Sequence, residues 1–186
     1  LFPGVQLYDN VVTCGLAAMN PVVYPVGVLL NAGRIEQSQG DFHFYGEGVT
    51  PGVCRLIYQV DRERLAVAAA LGAELLPVDK AFHAAGFGPA GDLEATINGS
   101  EMLTALKAPG QLDTRWLTED VPYGLAAWSA LGLQYGVSCP TMESLVDLIG
   151  TLLGQDFRQQ ARSMADLGID GMSLSDLQQY LQNGTS

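Results

Sequence analysis

The sequence predicts an all-α domain. Three observations carry that expectation. Apolar residues recur at helical spacing, cap and stop signals punctuate the chain at helix-sized intervals, and strand-type alternation is almost absent. Only Phe42 to Tyr45 alternates weakly, too short a run to build a sheet alone. The 186 residues are enough for one compact domain with a core. No repeat or internal linker divides them, so residues 1–186 are read as a single multi-helix domain.

The first element is the segment from Asn10 to Gly33, which carries no charged residue. Its length suits a bilayer span, which needs about 20 apolar residues. Asn10, Asn20, Asn31, Pro21 and Pro25 argue instead for a buried core helix, or a broken one. Thr50-Pro51 starts the next helix, with Thr50 as N-cap and Pro51 at the first helical position. Val53, Leu56, Ile57, Val60, Arg64, Val67, Ala68 and Leu71 then repeat at helical spacing, and Gly72 can end the run. Glu74 to Ala85 is expected to be helical, with Pro77 in its first turn. Residues 86–91 are a Gly/Pro loop. Asp92 to Ile97 and Ser100 to Lys107 read as short helices split by Asn98-Gly99, and Pro109-Gly110 breaks the chain again. A helix begins around Asp120 and runs through Trp128 to about Tyr135, with Gly136 as its stop. Thr141 is expected to cap a helix to about Leu153, and Asp156 one ending at Gly168. Ser173 and Asp176 form a capping box for a last short helix.

Composition excludes several functions. Hydrophobic residues make up 48% and charged residues 16%, which is not the balance of a disordered chain. The apolar share suggests a surface that packs against a neighbour. With 20 acidic against nine basic residues, and a net charge of −11, nucleic acid is not an expected partner. Cys14, Cys54 and Cys139 are odd in number and lack a CxxC, so buried free thiols are expected rather than disulfides or a zinc site. The chain opens on Leu1 with no signal-peptide pattern and is read as a fragment of a cytoplasmic protein.

Two motif matches are weak in context. Gly86-Phe87-Gly88-Pro89-Ala90-Gly91 fits GxGxxG, which holds a dinucleotide only after a buried strand and at the start of a helix. The residues before it read as helix, so it is taken as a loop. Asn98-Gly99-Ser100 and Asn183-Gly184-Thr185 are taken as turns. His43 and His83 are read as surface or satisfied histidines.

Two segments hold the candidate site. At roughly 100° per residue, Thr13, Asn20, Tyr24, Gly27 and Asn31 fall within about 60° of one another. A polar stripe without charges, on an otherwise apolar helix, suggests the wall of a polar pocket. Its structural alternative is a set of satisfied core hydrogen bonds. In the second segment, Asp113 to Pro122, Arg115 suits a bidentate pair with a substrate carboxylate. Asp120 sits where a helix begins, and its structural alternative is an N-cap.

Taken together, the motifs resemble a known family. Asn20-Pro21-Val22-Val23-Tyr24-Pro25, Leu29 to Arg34, Phe44 to Pro51, Asp61-Arg62-Glu63-Arg64-Leu65, Thr114-Arg115 through Pro122, Asp156-Phe157-Arg158 and Leu167-Gly168 follow, in order, motifs of the opine dehydrogenases. They resemble the C-terminal helical domain of the octopine and nopaline dehydrogenases, a fold similar to the 6-phosphogluconate-dehydrogenase C-terminal-like domains. The resemblance implies reductive condensation of an L-amino acid with a 2-keto acid, with hydride from NADH or NADPH. It also implies an N-terminal Rossmann domain as partner, which holds the nucleotide and is absent from this chain. The chain alone is then expected to bind no dinucleotide tightly and to be inactive. Homodimerisation is left open, and no membrane partner is expected.

The resemblance places the family's acid/base histidine at Tyr24 and its paired aspartate at Asp120. Substrate contacts fall to Asn20, Arg115 and Asn31. Ala18 stands where the family often has a further asparagine. Tyr24 is a departure with consequences, because a phenol titrates near pH 10 and an imidazole near 6.5. Tyr24 can donate a proton but is a poor base, and Asp120 would meet a phenol or a cationic substrate group. Three functions stay in view: an opine-type oxidoreductase, a related dehydrogenase acting on a simple 2-keto or 2-hydroxy acid, and a non-catalytic descendant kept for binding or dimerisation.

Overall fold

A computed structural model of the chain describes residues 7–184; Leu1 and Thr185 lie outside them. The expected all-α class holds, with no strand among the described residues. The uncharged segment is broken, as α1 (Val11–Leu16) and α2 (Asn20–Leu30). Val11–Leu30 is apolar enough to span a membrane by composition, yet half of the most apolar window is buried within the domain. The break at 17–19 is followed by Pro21 in the first turn of α2, where its missing N–H costs nothing. Helix α3 (Ala32–Ser38) follows directly.

The weak alternation at 42–45 is expressed as one isolated antiparallel bridge, His43 to Lys107. Phe44 N–H donates to the Leu106 carbonyl at 2.8 Å and Ala108 N–H to that of Phe42 at 2.9 Å. That pairing takes Leu106 and Lys107 out of the helix expected from Ser100 to Lys107. The chain then enters a π-helical turn at Phe44–Gly48, which spacing rules for ordinary helices do not detect.

Helix α4 (Pro51–Ala70) is the axis of the domain and packs against α1 and α2 and against three later helices. Its buried face holds Val53, Ile57, Val60, Arg64, Val67 and Ala68, as the spacing predicted, whereas Leu56 and Leu71 are only partly buried. The same face carries three buried charges. The Arg64 guanidinium is fully buried and donates to Asp61 at 2.8 Å, to the Leu16 carbonyl at 2.8 Å and to the Leu76 carbonyl at 2.7 Å. Asp61 also accepts from Val78 N–H at 2.8 Å. Arg64 therefore ties the end of α1 and the segment before α5 (Val78–Ala84) to one side chain. This corrects the start expected at Glu74: Pro77 disfavours helical backbone at Leu76, and the helix begins after it.

Helices α6 (Leu93–Asn98) and α7 (Glu101–Thr104) carry the side-chain caps Asp92 and Ser100. Helix α8 (Arg115–Thr118) leads into a second π-turn at Val121–Ala126, which continues as α9 (Ala127–Gln134). Helix α10 (Pro140–Leu153) begins one residue before the expected cap at Thr141. Its cap comes from elsewhere in the chain. The buried Glu63 carboxylate accepts from Thr141 N–H at 2.9 Å and Met142 N–H at 3.0 Å, satisfying donors that an N-cap side chain normally takes. Asp156 caps α11 (Phe157–Gln160), which stops well short of Gly168. Ser163 and Asp166 bond each other's side chain and backbone and start a separate turn, a local competitor that ends the helix. Ser173 caps α12 (Leu174–Asn183), and Gly184 closes it in the left-handed region.

Among the three thiols, Cys54 and Cys139 are buried as expected, but Cys14 is exposed because α1 lies at the surface.

Candidate active site

The two π-turns and α8 pack against α2, and the first π-turn and α8 supply the aromatic surroundings of Tyr24. From the first come Phe44 and Tyr45, with ring centroids 5.7 and 6.4 Å from that of Tyr24. From α8 comes Trp116, stacked on Tyr24 at 4.2 Å with the planes 11° apart. Phe82 continues the cluster beyond Tyr45. The second π-turn approaches α2 through a glycine: a Cβ at Gly124 would overlap the Pro21 ring. Asp120 is the residue before this π-turn, and its charge contributes weakly at Tyr24.

Asp120 is not an N-cap. Its backbone is helical and its side chain makes no capping bond. It is half-buried, and burial, with the adjacent Glu119 charge, pushes its carboxyl up to about 7. Arg115 opposes this shift from the preceding turn. Burial likewise raises the Tyr24 phenol above its ordinary value; the neighbouring Tyr45 hydroxyl lowers it, and the Asp120 charge raises it further. Tyr45 is shifted upward more strongly, chiefly by burial. A phenol so placed donates a hydrogen bond and does not ionise at neutral pH. Asp120, by contrast, changes charge where an imidazole normally would.

Arg115 is largely exposed, and its fork is occupied by Glu119 at 2.7 and 2.9 Å. An exposed pair of this kind is worth little and yields readily to a better-placed carboxylate. Asn20 stands exposed at the start of α2, on the turn before Tyr24.

The remaining stripe residues do not share a pocket wall. Because the segment breaks at 17–19, Thr13 belongs to a different helix, where it is buried and bonded to the Asn10 cap. Gly27 is covered by the Phe44 ring. Asn31 spends both amide hydrogens on backbone, donating to the Gly27 carbonyl at 2.8 Å and the Gly48 carbonyl at 3.0 Å. The stripe thus divides into exposed Asn20, half-buried Tyr24 and three packing residues. A cavity of about 600 Å³ lies instead beside the α1–α2 break, lined by Met19, Arg64, Glu74 and the alanines of α5.

The histidines are where the sequence put them. His43 is half-exposed, 3.3 Å from Glu47, and the His83 Nδ1 lies 2.9 Å from the Gly88 carbonyl. Neither belongs to the Tyr24 cluster. The GxGxxG loop follows α5 rather than a strand. A Cβ at Gly88 would strike the Thr96 carbonyl, so this glycine serves close packing within the loop. Sequence reasoning missed Trp116 and Phe44 as neighbours of Tyr24. The signals available were the adjacency of Trp116 to Arg115 and the glycines at 46 and 48.

Comparison with known proteins identifies the family of the chain. Residues 7–153 match the family described as NAD/NADP octopine/nopaline dehydrogenase, alpha-helical domain. The chain is 33% identical to an opine dehydrogenase of Arthrobacter sp. (strain 1C) over 98% of its own length and 50% of that protein. It is 29% identical to the vitopine synthase of Allorhizobium ampelinum over 92% of the chain and 48% of the relative. A solved octopine dehydrogenase, with NADH and L-arginine, superposes with a TM-score of 0.66 at 18% identity, covering 90% of this chain and 48% of that one. The chain spans about half the length of the curated relatives it matches. It belongs to the alpha-helical domain family of the octopine/nopaline dehydrogenases.

Proposed function

We propose that this chain is the substrate-side half of an opine-type oxidoreductase that joins the amino group of an amino acid to a 2-keto acid. The observation that carries the reading is the packing of α8 and the second π-turn, which bracket the half-buried Asp120 and include Arg115, against α2, which carries Tyr24. The half-length match to the relatives supports a missing nucleotide-binding partner, as do exposed apolar side chains such as Val11 and Leu133. The Gly86–Gly91 loop follows a helix rather than a strand, and its Gly88 packs against Thr96, which favours a packing role over a dinucleotide cradle. Hydride would come from NADH or NADPH held outside this chain.

The residues of the chain then divide the remaining work. Arg115 exchanges Glu119 for a substrate carboxylate, a bidentate pair that fixes orientation. Asp120, which loses its proton as pH rises through about 7, takes a proton in its ionised form from the ammonium group so that the free amine can attack the keto carbon. Carbinolamine dehydration releases water, and the Asp120 carboxylic acid can supply a proton to that leaving hydroxyl. Tyr24 donates a hydrogen bond to the developing oxygen or nitrogen and stays protonated throughout. Asn20 contributes an amide at the mouth of the site.

The test is turnover by the full-length protein. Oxidation of NADH or NADPH that requires both an amino acid and a 2-keto acid supports the reading. Turnover with the keto acid alone would make it a simple 2-keto acid reductase. No turnover and no calorimetric binding across a broad panel, in both the protein and its Tyr24→His variant, would leave a non-catalytic descendant of the fold.

A further inference from the structure

Phe44 is the common neighbour of the site's aromatic rings. Its ring stands edge-on to Trp116 at 4.8 Å and to Tyr45 at 5.1 Å, and lies 5.7 Å from Tyr24. Gly27, three residues after Tyr24 on the same helix, lies directly against the ring tip. A Cβ at Gly27 would overlap it, so the absent side chain forms the seat that the ring occupies. The seat and the ring are fastened by one side chain. At the end of α2, Asn31 N–H bonds to the Val28 carbonyl. The Asn31 side chain takes the Gly27 carbonyl and, from the other side, the Gly48 carbonyl at the end of the π-turn that carries Phe44. A Cβ at Gly48 would lie 3.1 Å from the Asn31 Nδ2, so the clamp also depends on glycine there.

We infer that Phe44, seated on Gly27 and held by the Asn31 clamp, is a positioning residue that fixes the Tyr24–Trp116 stack and so the place of the Tyr24 hydroxyl. The inference rests on the proposed role of this site. It gives a specific function to the π-turn, whose irregular hydrogen bonding directs Phe44 toward α2 instead of along a regular helix. It also gives Asn31 a bracing role in place of a direct substrate contact.

The experiment uses the full-length protein and the indole N–H resonance of Trp116, assigned by its loss in Trp116→Phe. Gly27→Ala fills the seat and is expected to move that resonance. Where the enzyme turns over, it should lower kcat by roughly 10-fold to 100-fold, the scale expected for a small misplacement of a reacting group. Phe44→Leu empties the seat and is expected to move the resonance as well. In the double variant the alanine methyl occupies space that the shorter leucine leaves free, so both readouts should return toward those of the unsubstituted protein. Strict additivity of the two changes would overturn the inference, as would an unmoved resonance in folded Phe44→Leu. If the protein proves to have no turnover, the resonance still tests whether Phe44 sets the stack. A shifted resonance with unchanged kcat and KM would leave the proposed function standing and overturn the positioning role.

Discussion

Replacing Arg64 with methionine would test how the interior of this domain is held together. The substitution keeps much of the side chain's length and apolar stem but removes a guanidinium that serves three acceptors at 2.7–2.8 Å. Asp61 would then be left 2% exposed with one remaining partner, Val78 N–H. The Leu16 and Leu76 carbonyls would lose their donors. Breaking one side of a buried ion pair costs about 3–5 kcal/mol, because the surviving charge stays desolvated. Each orphaned carbonyl costs about 1–3 kcal/mol when no water replaces the donor, but Leu76 is half-exposed and water can reach it. About 4 kcal/mol is therefore the expected loss. A domain of this kind has roughly 5–15 kcal/mol in total, so the variant should be folded but visibly weakened. Urea unfolding followed by near-UV circular dichroism at pH 7 would read the change in midpoint. Adding Asp61→Asn removes the stranded charge, so the double variant should be more stable than Arg64→Met alone. A loss below about 1 kcal/mol, or a double variant weaker than the single, would refute this account of the buried cluster.

Three further outcomes follow from the same geometry. Glu63→Gln leaves one acceptor oxygen where the carboxylate has two, so α10 should lose about 1–2 kcal/mol of capping, read by the same urea assay. Asp120, raised to about 7 from an unfolded value near 4, holds its proton more tightly when folded. Its contribution to stability is complete below about pH 4 and is lost as pH rises through 7, so Asp120→Asn should raise Tm relative to the unsubstituted protein at pH 8 and leave the difference near zero at pH 4. Gly124→Ala places a methyl against Pro21 and should cost about 1–3 kcal/mol by overpacking; an unchanged Tm would show that the second π-turn does not press on α2.

The parts of this fold that could be read from sequence are those governed by regular periodicity and local caps. Helix α4 is legible because Val53, Ile57, Val60 and Val67 recur on one face, and α12 because Ser173 and Asp176 mark its start. The π-turns were not legible, since their hydrogen bonds skip to the fifth residue and no spacing rule for α-helices registers them. The cap on α10 is invisible for another reason: Glu63 lies far away in sequence, whereas the local cap signal is Thr141. The candidate site divides the same way. Tyr24, Arg115 and Asp120 could be named from the chain because their motifs are contiguous. Their surroundings depend on two glycines, Gly27 and Gly124, that admit close packing partners, and a glycine in a sequence does not say what will approach it. The polar stripe lost Thr13 because a helical wheel assumes one unbroken axis, whereas the chain turns between Leu16 and Asn20, and it lost Gly27 and Asn31 to the π-turn that packs on α2.

The central claim is that Asp120 carries the proton for a reaction that needs both an amine and a keto acid. It is tested most directly by comparing NADH or NADPH oxidation in the full-length protein with that of its Asp120→Asn variant, each supplied with a 2-keto acid with and without an amino acid. The account predicts amine-dependent oxidation that falls by roughly 10²- to 10⁴-fold in the variant, the range ascribed to general acid–base catalysis, while the variant stays folded. Oxidation that ignores the amine, or a folded Asp120→Asn protein with undiminished turnover, would contradict it.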